Sequence, residues 1–132
     1  MDKSSQEIVL EVNSILVSET DSQGQIIYAD ATFLKICEYT LDEIIGKPHN
    51  IIRHPDMPST AFKDLWETIK RGKIWQGFVK NRTKSGKFYW VYATVFPNGE
   101  GSYISVRKMA TREEIAKYDS LYRTMRSQER MS

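Results

Sequence analysis

The chain has 132 residues, 40% of them hydrophobic and 27% charged, with a net charge of +2 from 19 basic and 17 acidic side chains. That is enough chain for one domain with a core that needs no disulfide or metal, and the small charge argues against bulk nucleic-acid binding. No apolar run approaches the roughly 18 residues of a membrane span; the polar start lacks a signal-peptide core, and the lone Cys37 fits a reducing compartment, so a cytoplasmic protein is expected.

In chain order, Ile8, Val9 and Val12 at helical spacing predict a short N-terminal helix over residues 5–13. Residues 15–20 and 25–28 read as two strands joined by the turn Asp21-Ser22-Gln23-Gly24. Asp30 is a candidate N-cap for a helix that buries Phe33, Leu34, Ile36 and Cys37. Thr40-Leu41-Asp42-Glu43 has capping-box form and opens a short helix that Gly46 and Pro48 end. From Ser59 or Thr60 to Gly72, Phe62, Leu65, Trp66 and Ile69 make one apolar helical face, on which Trp66 reads first as core.

At Ile74 the period changes from helix to strand. Over residues 74–82, Trp75, Gly77, Val79 and Asn81 share one face, and Phe78 and Lys80 share the other. Lys84-Ser85-Gly86-Lys87 makes a hairpin loop, residues 88–96 a strongly β-prone strand, and residues 102–109 a last strand. Thr111-Arg112-Glu113-Glu114 is a second capping box. Ile115, Tyr118, Tyr122 and Met125 then form a helical seam, able to pack on the domain or on a partner helix. Five strands and several helices in this order predict an α+β fold: one antiparallel sheet, with helices on one face and flanking N- and C-terminal helices.

Chemistry concentrates in His49-Asn50-Ile51-Ile52-Arg53-His54-Pro55-Asp56-Met57-Pro58, which holds both histidines and two of the four prolines. Prolines at 55 and 58 forbid a continuous helix, so a stiff loop presenting polar groups is predicted. It reads either as a binding loop or as a connector in which Asp56 and Asn50 hydrogen-bond nearby backbone. No phosphate loop, His-Glu-x-x-His pair or Cys-x-x-Cys is present, and the serines lack a nucleophile motif. His49, His54 and Asp56 make only a weak zinc candidate. A planar cofactor fits better: Trp66, Trp75, Phe78, Tyr89, Trp90 and Tyr92 exceed what so small a core needs, and aromatic faces stack on planar rings. Asn81 is either solvated at a strand end or, if its face is inward, in need of a partner.

The run from Gly46 through Arg53-His54-Pro55-Asp56-Met57-Pro58, Leu65-Trp66, Trp75, Val79-Lys80-Asn81-Arg82 and Tyr89-Trp90-Val91 resembles a PAS domain. More narrowly it resembles the FAD-binding PAS sensor of bacterial aerotaxis receptors and of related bipartite energy-taxis proteins. The resemblance covers residues 13–115, and the Arg-His-Pro-Asp-Met-Pro string is specific to that subgroup. It implies a five-stranded antiparallel sheet and non-covalent FAD. The implied cofactor residues are Arg53, His54 and Asp56, with His49 and Asn50 leading into them and Trp75 and Asn81 on the ligand-facing strand. Trp66 joins them as an aromatic candidate. Asp30 stands where the family often has asparagine.

The resemblance further implies a redox or oxygen sensor for energy taxis, not an enzyme. Its partner would be a methyl-accepting chemotaxis transducer or a HAMP-type signalling region, with a homodimer also open and any membrane association only through a partner. The family's receptors carry an anchor, a HAMP region and a signalling rod. None is here, so an excised or free-standing sensor is expected. The expected division is an N-terminal helical cap over 1–13, a sensor domain over 14–110 and a C-terminal signalling helix over 111–132. Two alternatives stay open: a haem-binding gas sensor ligated by His49 or His54, and a cofactor-free dimerisation module. Cys37 lies far from the loop in which flavin photosensors of this fold carry their reactive cysteine, so no thiol adduct is expected.

Overall fold

The computed structural model describes residues 3–131. Five strands, β1 (Ile15–Thr20), β2 (Ile26–Ala29), β3 (Trp75–Arg82), β4 (Phe88–Pro97) and β5 (Tyr103–Met109), form one antiparallel sheet in the order β2-β1-β5-β4-β3. The chain leaves one edge after β2 and returns at the other as β3. Between them it builds α1 (Ala31–Cys37), α2 (Leu41–Ile44), a 3₁₀ turn (His49–Ile52) and α3 (Ser59–Lys70). After β5 comes α4 (Arg112–Met131).

Local chemistry sets the helix starts. The Asp30 carboxylate accepts from Phe33 N at 2.8 Å, and Thr40 with Glu43 closes the predicted capping box through bonds of 2.9 and 3.2 Å. Thr111 and Glu114 do the same at α4, at 2.9 and 3.1 Å. Each side chain satisfies a backbone donor that has no partner within its helix.

Register decides which side chains meet. Val79↔Val91, Asn81↔Tyr89, Ala93↔Arg107 and Ser18↔Ser105 share the inner face, toward α1 and α3; Phe78↔Tyr92 and Lys80↔Trp90 share the outer one. The seam of α4 packs on the domain, against that outer face. The Tyr118 ring lies 4.3 Å from Phe78, Tyr122 stacks on Trp90 at 6.2 Å, and the Tyr122 hydroxyl donates to Phe78 O at 2.6 Å.

The helix expected over residues 5–13 is not formed. Glu7 instead bridges Phe88 in parallel, with Ile8 N donating to Phe88 O at 2.8 Å and Phe88 N to Gln6 O at 3.0 Å. So short a helix is marginal on its own, and the start of β4 offers backbone partners that it does not. Val9 and Val12 are left 64% and 74% exposed. Met1 and Asp2 of the expected cap lie outside the described residues.

Gly77 is required by packing. The Trp75 ring lies over it, and a Cβ there would sit 2.5 Å from that ring. Trp75 is held in place by Nε1 donating to Asp64 of α3 at 2.9 Å. Gly77→Ala is therefore expected to cost about 1–3 kcal/mol, by overpacking, in urea denaturation.

Candidate functional site

A cavity of about 450 Å³ lies between the inner sheet face and the crossover helices. Its floor is Ser18 and Thr20 of β1, Tyr103, Ser105 and Arg107 of β5, Ala93 and Val95 of β4, and Val79 and Asn81 of β3. Phe62, Leu65, Trp66 and Ile69 of α3 form the roof, and His49, Asn50 and Arg53 close one end. Gly24, at φ +82°, lets the β1–β2 turn come up under Trp66, where a Cβ would lie 3.0 Å from the ring. The Gly24 carbonyl accepts from His49 N at 3.0 Å, which ties the 3₁₀ turn to the hairpin.

The floor is polar where a core would be apolar. Arg107 is 3% exposed; its Nη2 donates to Ser18 Oγ at 2.9 Å and sits 2.7 Å from His49 Nε2. Its Nη1 has no hydrogen-bond partner, and neither has Asn81 Nδ2, on a side chain only 2% exposed. Beside Asn81 across the strand pair, the buried Tyr89 hydroxyl also lacks a hydrogen bond of normal geometry. Leaving a buried donor unsatisfied costs about 1–3 kcal/mol. Two such donors on one cavity wall fit a ligand with acceptors along one edge.

Electrostatics agree. Burial, then the Arg107 charge, pushes the His49 imidazole down to about 3, so the ring is neutral at pH 7 and its Nε2 accepts from Arg107. Burial also lowers Arg107, to about 10, which leaves it charged. For His49 the unfolded state binds a proton that the folded state refuses between about pH 6.5 and 3, so stability falls as pH falls through that window. His49→Gln is expected to lose less stability than the parent between pH 7 and 4, by chemical denaturation.

Of the residues named from sequence, His49, Asn50, Arg53, Trp66 and Asn81 converge on the cavity. Asn81 faces inward, and Trp66, read first as core, meets Tyr103 edge-on at 5.7 Å while its ring lines the roof. His54, Asp56 and Trp75 stand off it. His54 Nδ1 accepts from Asp56 N at 2.9 Å, and the Asp56 carboxylate pairs with Lys80 at 2.8 Å rather than with nearby backbone. This segment covers the free edge of β3, through a bridge from Arg53 to Asn81 and a bond from His54 N to Lys80 O at 3.2 Å. The predicted loop is in part helical, since His49–Ile52 forms the 3₁₀ turn. Sequence reasoning missed Ser18, Phe62, Tyr103, Ser105 and above all Arg107. An arginine alternating with Ser105 and Tyr103 inside a strand was the available signal.

Cys37 is buried on α1, its thiol donating to Leu34 O at 3.6 Å, and it does not line the cavity. If a flavin occupies the cavity, illumination is expected to leave no persistent thiol adduct in the absorption spectrum. Among the described residues, no cluster of three or more His, Cys, Asp or Glu could hold a metal, and no helix is long and apolar enough to cross a membrane.

A five-stranded antiparallel sheet whose crossover helices roof a cavity with polar groups on its floor defines the architecture of a single α+β sensor-type module. A family model described as the PAS fold matches residues 26–111, and the chain belongs to that family. It is 48% identical over 117 residues to the aerotaxis receptor of Escherichia coli, covering 86% of this chain and 23% of the receptor. It is 33% identical over 119 residues to the biofilm dispersion protein BdlA of Pseudomonas aeruginosa, covering 81% of this chain and 28% of that protein. The chain thus spans about a quarter of these relatives. Among solved structures, the RsLOV d2 variant superposes with a TM-score of 0.68 at 18% identity, covering 97% of this chain and 86% of that one, a likeness of fold.

Proposed function

We propose that this domain senses redox state or oxygen for energy taxis by holding FAD non-covalently in the cavity, and that it reports to a chemotaxis transducer in the cytoplasm. The observation that carries the reading is the pair of unpartnered buried donors, Asn81 Nδ2 and Arg107 Nη1, on the wall of a cavity roofed by Trp66 and Phe62. An apolar, aromatic roof suits a planar ring, and fixed donors suit its oxygen- and nitrogen-bearing edge. Bound FAD would supply a ring that takes up and gives back electrons. Asn81 and Arg107 would hold that edge. Arg53, whose guanidinium lies 4.1 Å from the Phe62 ring centre at the cavity's end, would meet the phosphates. The likeness to the aerotaxis receptor across most of the chain supports the taxis role.

The haem alternative draws less support, because His49 Nε2 is taken by Arg107 and Ser18, and His54 stands outside the cavity. Such a domain works by binding rather than turnover. A change at the ligand alters signalling only if two arrangements bind it differently. The element placed to read such a change is α4. It touches the outer sheet face through Tyr122, and its Glu129 carboxylate accepts from Ser59 and Thr60 at the start of α3. Residues 14–110 would then be the sensing unit and 111–132 the output.

The test is the visible spectrum of the purified protein, in air and after dithionite. A flavin spectrum that bleaches on reduction is expected. A Soret band would move the reading to haem, and a protein still colourless after incubation with FAD would leave a cofactor-free module.

A further inference from the structure

We propose that Arg107 sets the redox poise of the cavity by stabilising the negative charge that its ligand gains on reduction. This rests on the FAD reading above, and it assigns a role to a residue that the sequence did not single out.

Arg107 is a buried guanidinium with no carboxylate at ion-pair distance among the described residues. Its neighbours come from every element packed around it. Ser18 of β1 and His49 of the 3₁₀ turn take Nη2, and the Phe33 ring of α1 lies 5.0 Å from the guanidinium carbon. The titratable groups whose fields reach it are His49, Tyr89, Asp30 and, more weakly than Asp30, Cys37. Burial raises both the Cys37 thiol and the Tyr89 phenol, so both are neutral at pH 7, as is His49. Asp30 uses its carboxylate to cap α1. The guanidinium therefore has no anion in contact, and Nη1 points to no protein acceptor.

A buried charge without a partner is costly, and removing its water makes its field stronger. An anion arriving beside it is favoured on both counts. A bound oxidised flavin ring would take two electrons from a low-potential donor, the electrode in the test, and one proton from solvent at N5. It then holds one negative charge on the pyrimidine side. A second proton would neutralise that charge; the field of Arg107 opposes its uptake, and neutral His49 has its Nε2 turned to Arg107 as an acceptor. The result is a reduced ring held as an anion at pH values where free reduced flavin is neutral, and a higher midpoint potential.

The experiment is a spectroelectrochemical titration of FAD-loaded protein between about pH 5.5 and 6.5, with free FAD beside it, for the parent, Arg107→Met and Arg107→Lys. For two electrons, one proton gives about 30 mV per pH unit and two protons about 60 mV. The parent and Arg107→Lys are expected to show the shallow slope, and Arg107→Met and free FAD the steep one. At fixed potential near pH 7, the reduced-to-oxidised ratio of Arg107→Met should fall about 10- to 100-fold, equivalent to about 30–60 mV. An arginine that only props the fold would leave slope and potential unmoved in any variant that still loads. A parent with the steep slope overturns the proposal without any variant, as does Arg107→Met with the parent's potential. Parent protein that never takes up FAD overturns the flavin reading itself and this inference with it.

Discussion

Asn81→Ala is expected to weaken FAD retention about 10- to 100-fold while leaving the ligand-free protein as stable as the parent or more so. On the proposed reading the two effects have opposite signs, because the buried Asn81 donor would be met by the ligand and not by the protein alone. Its side chain is 2% exposed and faces inward on β3, and its Nδ2, beside the Tyr89 hydroxyl, makes no hydrogen bond of normal geometry. In the ligand-free protein that donor costs about 1–3 kcal/mol, which alanine removes along with the donor. With FAD bound as proposed, the same donor would meet an acceptor, and losing a bond of about 1.4–2.8 kcal/mol is a factor of 10 to 100 in affinity. Equilibrium dialysis against FAD and urea denaturation of the ligand-free protein measure the two effects separately. A buried asparagine with a purely structural role would lower stability on truncation and leave affinity alone. Unchanged retention would put the ligand somewhere other than against β3.

Glu129→Ala is expected to release the end of α4 from the cavity roof and lower stability by about 1–2 kcal/mol, the cost of a lost helix cap. Helix α3 begins after Pro58, which supplies no side-chain cap. Glu129 provides one from 70 residues away: it accepts from Ser59 N and Oγ at 3.2 and 3.0 Å and from Thr60 N and Oγ1 at 3.0 and 2.7 Å. Arg126 adds a bond to the Asp56 carbonyl. A carboxylate at a helix N-terminus is also favoured by the helix dipole. Those bonds, from the Thr60 backbone and hydroxyl first, lower Glu129 from 4.5 to about 2. The carboxylate's contribution is present above the unfolded pKa and is lost as pH falls from 4.5 toward 2. Hydrogen exchange should show lost protection in the last turns of α4 and the first turn of α3, with the sheet unaffected. If protection in α3 stays at the parent level, α4 is not coupled to the roof through this contact. Glu129→Gln, which keeps an acceptor but not the charge, is expected to fall between parent and alanine.

How much of this was legible in the sequence differs from element to element. Asp30, Thr40–Glu43 and Thr111–Glu114 could be read because a cap is made within a few residues and depends on little else. The strands followed from alternation, and β1 has the predicted bounds. The N-terminal helix failed because its alternative was a backbone partner more than 80 residues later in the chain, at Phe88. The site was legible in part. The residues alone left the loop and Asn81 open between a site and a solvated or connecting role, and the family resemblance pointed to Arg53, His49, Asn50 and Asn81. In β5, apolar Ile104 and Val106 lie on the outer face while Ser105 and Arg107 line the cavity, so hydrophobicity gave no guide to which face was inward.

Apart from the N-terminal helix and the 3₁₀ turn, the sequence by itself determined the elements and their order, with the capped starts of α1, α2 and α4, because capping and period are local properties of the chain. It also determined the family, through the Arg-His-Pro-Asp-Met-Pro string and the residues around it. Only the tertiary structure decided that Arg107, Ser18 and His49 meet, that Trp66 roofs a cavity, that His54 and Asp56 cover a strand edge, and that Glu129 caps α3. Those contacts span tens of residues and depend on strand register and crossover path. A shift of one residue in register would turn Arg107 and Asn81 to the opposite face.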